Sequence, residues 1–185
     1  MPGLVKAPVF MISGTPGSGK TSVAGALLQH FPLGLHLPLD DFREFVVSGR
    51  ASVFNWSEET DRQFALARTA AVGMATSYLE AGFAVALDDV VFPAEAELVY
   101  AKPLPEIYKV LLLPRLEVIL KRNAERTNKR FETGALVKTI ETLHKTFAEQ
   151  ETGFRAAGWL VIDSSELTLA ETVSRILGGA NQPSR

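Results

Sequence analysis

Short apolar runs alternate with stretches of helical periodicity along most of this 185-residue chain. Five runs rich in β-branched or aromatic residues are predicted to be buried strands, at residues 9–13, 35–39, 84–87, 107–113 and 159–162. Strands that alternate with helices imply parallel crossover connections. The pattern therefore predicts an α/β fold with a doubly wound parallel sheet.

Between these runs, apolar residues recur every three or four positions, which predicts amphipathic helices. The positions that define them are Val23, Leu27 and Phe31; Phe64, Ala67, Ala71, Met74 and Tyr78; and Leu136, Ile140, Leu143 and Phe147. A last helix is predicted to begin at Thr168, because Glu171 follows three residues later as in a capping box. Its inward-facing residues are expected to be Leu169, Val173 and Ile176. We expect one domain over residues 1–180 and a frayed tail at 181–185.

The composition is that of an ordinary globular domain, with 46% hydrophobic and 22% charged residues. A chain of this size can form a core without metal or disulfide staples. It has no cysteine, which excludes disulfides, thiolate metal sites and a cysteine nucleophile. No apolar stretch approaches the roughly 20 residues of a membrane span. We therefore expect a cytoplasmic protein that does not enter membranes.

Charge is unevenly distributed, although the net charge is only −2. Residues 40–97 contain eleven acidic and four basic residues, whereas residues 102–145 contain ten basic and five acidic ones. The acidic part could hold a metal or a proton acceptor and the basic part could face phosphate, although such runs are also typical of solvated faces. The lack of an overall basic field disfavours a nucleic-acid partner without excluding it.

A phosphate-binding loop follows the first predicted strand directly. Residues 14–21 read GTPGSGKT, which matches G-x-x-x-x-G-K-[ST] between a strand and a helix. Glycines let successive backbone amides point at phosphate oxygens, and the helix N-terminus adds a favourable dipole. Lys20 is expected to reach the β- and γ-phosphates, and the Thr21 hydroxyl to bind Mg²⁺. The predicted ATP-binding residues are Gly14, Thr15, Pro16, Gly17, Ser18, Gly19, Lys20, Thr21 and Ser22.

Other motifs narrow the class of nucleotide-binding protein. The guanine-reading Asn-Lys-x-Asp motif is missing, because Asn128 and Lys129 are followed by Arg130 and Phe131. The chain is also short for a ring ATPase. A small kinase is the leading hypothesis, and a regulatory protein that hydrolyses ATP slowly and acts through a partner is the alternative.

Acidic residues follow the second and third predicted strands, where the ligand crevice of an open parallel sheet lies. Asp40 is the candidate base for a hydroxyl acceptor, with Asp41 as a helix cap. Asp88 is the candidate Mg²⁺ ligand beside Thr21, although an Asp pair, here with Asp89, can also be turn chemistry. The sequence leaves open which member of each pair acts.

Two irregular segments complete the predicted site. Arg122, Arg126 and Arg130 are spaced for one helix face, and we expect a lid at about residues 121–134 that closes over ATP, although pairing with glutamates is the alternative. An acceptor-side insertion is expected at about 43–60, where most apolar side chains should complete the core and Trp56 should line the acceptor pocket.

The order of these motifs resembles a known family of small P-loop kinases. The segments GTPGSGKT, LDDF, VALDDV, RNAERTNKR and VIDSSELTLAETVSRIL resemble the group of chloramphenicol phosphotransferase and zeta toxin. The resemblance implies a five-stranded parallel sheet of nucleoside-monophosphate-kinase type, ATP with Mg²⁺ as donor, a small-molecule hydroxyl acceptor, Asp40 as base and a lid with the three arginines, among them Arg126 as a catalytic residue.

The segment DDFR also resembles the Asp-Asp-Tyr-Arg element of polynucleotide 5′-kinases, with Phe42 in place of the tyrosine. That similarity implies Asp40 as the base and Arg43 as a catalytic residue that assists at the acceptor or the phosphate. A polynucleotide or nucleoside 5′-hydroxyl kinase is therefore an alternative to a kinase of other small molecules.

Overall fold

The computed structural model describes residues 7–104, 106–125 and 133–180, without the side chains of residues 133–135. The described strands are β1 (Val9–Ser13), β2 (Gly34–Pro38), β3 (Ala84–Asp88), β4 (Ile107–Leu112) and β5 (Leu160–Ile162). They form one sheet in the order β2-β3-β1-β4-β5, and every pair is parallel. The predicted doubly wound parallel sheet is confirmed.

Helices connect the strands and cover both faces of the sheet. They are α1 (Lys20–Leu28), α2 (Leu39–Glu44), α3 (Glu58–Glu80), α4 (Pro93–Ala96), α5 (Leu116–Glu125), α6 (Thr133–Glu149), α7 (Glu151–Ala156) and α8 (Leu169–Ala180). A π-helical turn, Glu97–Ala101, continues α4. Among the described helices, none is long and apolar enough to cross a membrane.

The alternation of side chains along the strands divides the core into two halves. Phe10 and Ile12 of β1 pack with α1 and α8 on one face of the sheet. Val9 and Met11 pack on the other face, where α3, α6 and α7 lie. Consecutive residues at the end of a strand therefore point to opposite layers, which determines the surroundings of each acidic residue in the site.

The final helix begins as predicted. The Glu171 carboxylate accepts from the Thr168 backbone N–H at 2.8 Å, and the Thr168 hydroxyl accepts from the Glu171 N–H at 3.2 Å. Val173 and Ile176 are buried, whereas Leu169 is 46% exposed. The prediction for Leu169 was wrong because this residue begins the first turn on the outer side of the helix.

Two further predictions of detail were wrong. Met74 is exposed, because the buried stripe of α3 runs through Ala67, Ala71 and Ala75 at intervals of four residues. Asp41 does not cap a helix, because Pro38 is the N-cap residue of α2 and Asp41 lies within its first turn.

Candidate functional site

The phosphate-binding loop requires glycine at several positions. Gly17 and Gly19 have φ angles of 86° and 100°, in the left-handed region that L side chains rarely adopt. Gly14 has a φ of 148°, and a Cβ atom there would lie 2.6 Å from the carbonyl oxygen of Leu112. The loop can therefore wind tightly between β1 and α1, as phosphate binding demands.

The predicted phosphate-contacting residues line this loop and the start of α1. Lys20 Nζ donates to the carbonyl oxygens of Gly14 at 2.9 Å and Thr15 at 3.1 Å, so the lysine lies across the loop. The hydroxyl oxygens of Thr15 and Ser18 are buried and have no hydrogen-bond partner among the described residues. Thr21 is exposed at the first turn of α1. Pro16, Gly17, Gly19 and Ser22 complete the loop as the sequence places them.

Asp40 lies in the first turn of α2, directly after the edge strand β2. Asp40 is an exposed residue, yet the protein around its carboxyl group partly desolvates it. That burial, with the negative charges of Asp89 and Asp88, raises the pKa of Asp40, while the nearby Lys20 and Arg43 cations oppose the rise. The fold thus brings together a lysine from the phosphate-binding loop and the acidic residues that follow two strands.

Asp88 and Asp89 point into opposite layers of the protein. Asp88 Oδ2 lies 2.6 Å from His36 Nε2, on the face that α1 covers. Asp89 points toward α3, where its Oδ2 accepts from Arg68 Nε at 2.7 Å and from the Tyr100 hydroxyl at 2.9 Å. Asp88 is therefore the member of the pair on the side of the phosphate-binding loop, and Asp89 ties α3 to the π-helical turn.

Sequence reasoning missed His36, Arg68 and Tyr100. The available signals were a histidine within a short apolar strand and an arginine within an alanine-rich helix. Burial and the negative charge of Asp89 raise the pKa of Tyr100, so its hydroxyl stays a donor. The three side chains are the direct supports of the acidic pair.

Oxygen donors near the phosphate-binding loop suit Mg²⁺. The Thr21 hydroxyl and the Asp88 carboxylate are hard ligands of the kind this ion prefers, and Mg²⁺ in nucleotide sites uses one or two protein ligands plus phosphates and water. In the described part of the chain, no three His, Cys, Asp or Glu side chains form a cluster that could hold a metal alone. The residues present thus fit an ion that arrives with the nucleotide.

Arg43 is not open to the crevice as a free phosphate-binding group. It is 7% exposed, its Nη2 donates to the carbonyl oxygen of Ala51 at 2.8 Å, and its guanidinium lies over the Phe64 ring. Its Nε is buried without a hydrogen-bond partner among the described residues. Burial chiefly lowers the pKa of Arg43, although Asp40 opposes this shift.

The connection from α2 to α3, residues 45–57, forms a strap that is fastened to α3. Gln63 accepts from the Ala51 N–H at 2.9 Å and donates to the Gly49 carbonyl at 2.8 Å. Thr60 Oγ1 donates to the Ser52 carbonyl at 3.1 Å. These bonds bind the middle of the strap to the first two turns of α3.

Most of the apolar side chains of the strap do not complete the core. Phe45, Val47, Phe54 and Trp56 are exposed, by 73%, 97%, 43% and 57% respectively. The prediction of a mainly core role was wrong, because the strap is held through its backbone and leaves its apolar side chains facing outward. Trp56 is ordered nevertheless, since it stacks on Phe64 and its Nε1 donates to Asp61.

Arg122 joins two loops at the nucleotide side of the sheet. Its Nη2 donates to the Ser164 carbonyl at 3.1 Å, and its Nη1 to the Ser18 carbonyl at 3.4 Å. Arg122 therefore links the phosphate-binding loop to the loop after β5. Arg126 and Arg130, the other two arginines of the predicted lid, lie outside the described residues.

A cavity of about 470 Å³ lies away from this site, near the amino-terminal ends of β1 and β4. Its lining includes Val9, Glu80 and Tyr108. None of the predicted site residues that the structure describes lines it, and they lie at the other end of the sheet.

Several solved structures share this fold. A tunicamycin resistance protein of Deinococcus radiodurans has a TM-score of 0.63 at 16% identity, covering 96% of this chain and 97% of its own. Shikimate kinase of Acinetobacter baumannii has a TM-score of 0.61 at 18% identity, with coverages of 92% and 91%. Thymidylate kinase of Candida albicans has a TM-score of 0.67 at 13% identity, with coverages of 94% and 90%. At these identities the likeness establishes the P-loop kinase fold.

No curated protein sequence matches the chain. The family model described as chloramphenicol phosphotransferase-like protein matches residues 7–176, which include every strand and helix that contributes to the site. The protein thus belongs to the chloramphenicol phosphotransferase-like family and is an ATP-dependent, Mg²⁺-using kinase of a small molecule.

Proposed function

We propose that this enzyme transfers the γ-phosphate of ATP to a hydroxyl group of an amphipathic small molecule, with Asp40 as the base. The observation that carries the proposal is the position of Asp40 just after β2, where the charge of Lys20 from the phosphate-binding loop acts on it. A base beside the lysine that holds the transferring phosphate can reach the acceptor proton, and its raised pKa favours proton acceptance. The acceptor oxygen bonds to the γ-phosphorus, the bond to the bridging oxygen breaks, ADP leaves, and the proton goes to Asp40.

The remaining residues position the donor. We assign Lys20 and Arg122 to the phosphates and Thr21 and Asp88 to Mg²⁺, which when bound offsets the charge of the phosphate oxygens. Arg126 and Arg130 are assigned to the same phosphates on their sequence spacing alone. Arg43 supports the acceptor side from beneath the strap, since it is bonded to Ala51 and acts on Asp40 through its charge.

The strap supports the amphipathic character of the acceptor. It presents exposed aromatic surface in Phe45, Phe54 and Trp56. The cations on this side are already engaged, since Arg68 pairs with Asp89 and Arg50 with Glu44. A polynucleotide would need further cations to meet successive phosphates, so a compact acceptor with an apolar part is favoured. A donor drawn from the cellular ATP pool also supports the expected cytoplasmic location.

The test compares Asp40→Asn with Asp41→Asn, a matched change at the next position, which is exposed. ADP formation is followed against a panel of nucleosides, sugars, antibiotics and short 5′-hydroxyl oligonucleotides. We expect one class of acceptor to raise ADP formation, Asp40→Asn to abolish that rise while binding ATP normally, and Asp41→Asn to keep it.

Other outcomes would point elsewhere. Stimulation by oligonucleotides alone would identify the polynucleotide kinase alternative. ADP formation that no acceptor raises, and that Asp40→Asn leaves unchanged, would favour the regulatory ATPase.

A further inference from the structure

A histidine that the proposed reaction does not use lies against the assigned magnesium ligand. His36 Nε2 is 2.6 Å from Oδ2 of Asp88, and the His36 side chain is 23% exposed while that of Asp88 is 7% exposed. The contact joins the edge strand β2 to the neighbouring strand β3. It therefore connects the border of the sheet to the phosphate-binding side of the crevice.

The strand register brings the two side chains together. His36 pairs with Ala86, so Asp88 lies two residues further along β3 and on the same face of the sheet. Such diagonal neighbours are within reach of long side chains. Leu35 and Leu37, on either side of His36, pack in the core of the other face. A polar residue at position 36 is thus directed at the layer that contains Asp88 and α1.

The two oxygens of Asp88 have different surroundings. His36 is the one hydrogen-bond partner of the Asp88 carboxylate in residues 7–104, 106–125 and 133–180, and it holds Oδ2. Oδ1 has no partner there and is not among the polar atoms sealed from solvent. One oxygen is therefore held from the edge strand, and the other keeps access to solvent.

We propose that His36 is a positioning residue that holds Asp88 in the rotamer that presents Oδ1 to the nucleotide-bound Mg²⁺. The proposal rests on the assignment of Asp88 to the metal. Carboxylates that bind metals are commonly oriented by an outer hydrogen-bonding partner, whose loss typically weakens metal affinity by about 10–100-fold. Without His36, a nearly buried Asp88 has no described donor to fix its orientation.

The experiment measures binding and needs no acceptor. Calorimetry of a non-hydrolysable ATP analogue, with Mg²⁺ and with EDTA at one pH, gives the Mg²⁺-dependent gain in affinity for each variant of the full chain. We expect His36→Ala to reduce this gain by about tenfold and to leave the affinity in EDTA unchanged. His36→Gln should keep most of the gain, because its side-chain amide can donate from a similar reach. Asp88→Asn shows how much of this gain is lost when the assigned metal ligand itself is removed.

Two controls separate positioning from damage to the strand. Leu35→Ala removes packing on the other face of β2, and His30→Ala removes an exposed histidine after α1; both should keep the gain. A full gain in Asp88→Asn would refute the metal assignment and this inference with it. If Asp88→Asn lost the Mg²⁺-dependent gain in affinity while His36→Ala kept or increased it, the metal assignment would stand and the role of His36 would be overturned. Equal losses in Mg²⁺ and EDTA for His36→Ala would mean that His36 only supports the fold.

Discussion

The guanidinium carbon of Arg43 lies 4.2 Å from the centre of the Phe64 ring. Arg43 is on α2, close in sequence to Asp40, and Phe64 is on α3. The Phe64 ring also stacks on the indole of Trp56 and lies under the guanidinium of Arg68. The strap leaves α2 and returns to α3, so this contact closes its base. The nearly buried Arg43 cation over the Phe64 ring therefore links the helix that carries Asp40, the proposed catalytic base, to the acceptor side.

The pair should be energetically coupled. In a double-mutant cycle of Arg43→Met and Phe64→Leu, we expect a coupling of about 1 kcal/mol in the free energy of unfolding, because each change removes the same cation–aromatic contact. Urea denaturation of the four proteins measures it. If the losses in the free energy of unfolding were additive, Arg43 would be held by its bond to Ala51 and not by the Phe64 ring.

Asp40→Asn should make the folded protein more stable at about pH 7 while it abolishes transfer. The native pKa of Asp40 is raised above its ordinary value of 3.8 by burial, so the ionised form is less favourable in the folded state than in the unfolded one. Stability from this group therefore falls as pH rises through the native pKa, and the amide removes the penalty. Denaturation from about pH 7 down to about pH 4 should show the advantage of the variant shrinking as Asp40 becomes protonated.

Asp41→Asn is the matched control for this effect. Asp41 lies on the same turn but outside the cluster of charges that acts on Asp40, so its substitution should give no comparable gain in stability. A destabilised Asp40→Asn protein at neutral pH would mean that ionised Asp40 is held by favourable contacts that outweigh its burial.

The periodicity of apolar residues was sufficient to predict the sheet and most helices. A short continuous apolar run is buried on both of its faces when it forms a central strand of a sheet covered by helices. Val9–Ser13 was predicted at its observed bounds, and Ala84–Asp88 within one residue. The second strand was placed one residue late, since Leu39 is buried like a strand residue although it begins α2. Local pattern cannot separate the last residue of a strand from the first of a helix when both are buried.

The site could be located from the sequence only where its residues form a contiguous motif. The phosphate-binding loop and the two Asp pairs follow strands and could be located. The partners of the acidic residues come from distant elements, as with His36 for Asp88 and Arg68 for Asp89, and depend on strand register and helix rotation. The burial of the strap side chains was predicted wrongly, because Gln63 holds the strap through backbone atoms. Such bonds do not appear in the pattern of hydrophobic residues.

Lys20→Ala should weaken ATP binding by about a hundredfold, roughly 2.7 kcal/mol, because a charge-assisted contact to the phosphates is lost. The fold should persist, since the Lys20 contacts to Gly14 and Thr15 are made to carbonyl groups of an already tight loop. Calorimetric titration with ATP and Mg²⁺ checks the affinity, with Lys145→Ala, an exposed lysine of α6, as the control. Unchanged ATP affinity in Lys20→Ala would refute the assignment of the phosphate-binding loop.

Trp56→Ala should raise the KM for the acceptor that the panel identifies by about tenfold, roughly 1.4 kcal/mol, and keep ATP affinity within about threefold. The indole is 57% exposed yet fixed in place, because it stacks on Phe64 at 5.2 Å between ring centres and donates to Asp61 at 2.8 Å. An ordered aromatic face open to solvent on the acceptor side can bind an apolar group with little loss of its own freedom.

Trp56→Phe separates the ring from its hydrogen bond, since it keeps an aromatic surface over Phe64 and loses the bond to Asp61. It should therefore retain most of the acceptor affinity. Leu98→Ala removes another exposed apolar side chain, from the π-helical turn, and should leave both constants unchanged. Steady-state kinetics with each substrate varied in turn distinguishes the two sites. If Trp56→Ala weakened ATP and acceptor binding alike, the indole would be a support of the strap and α3, and the acceptor would have to lie elsewhere along the crevice.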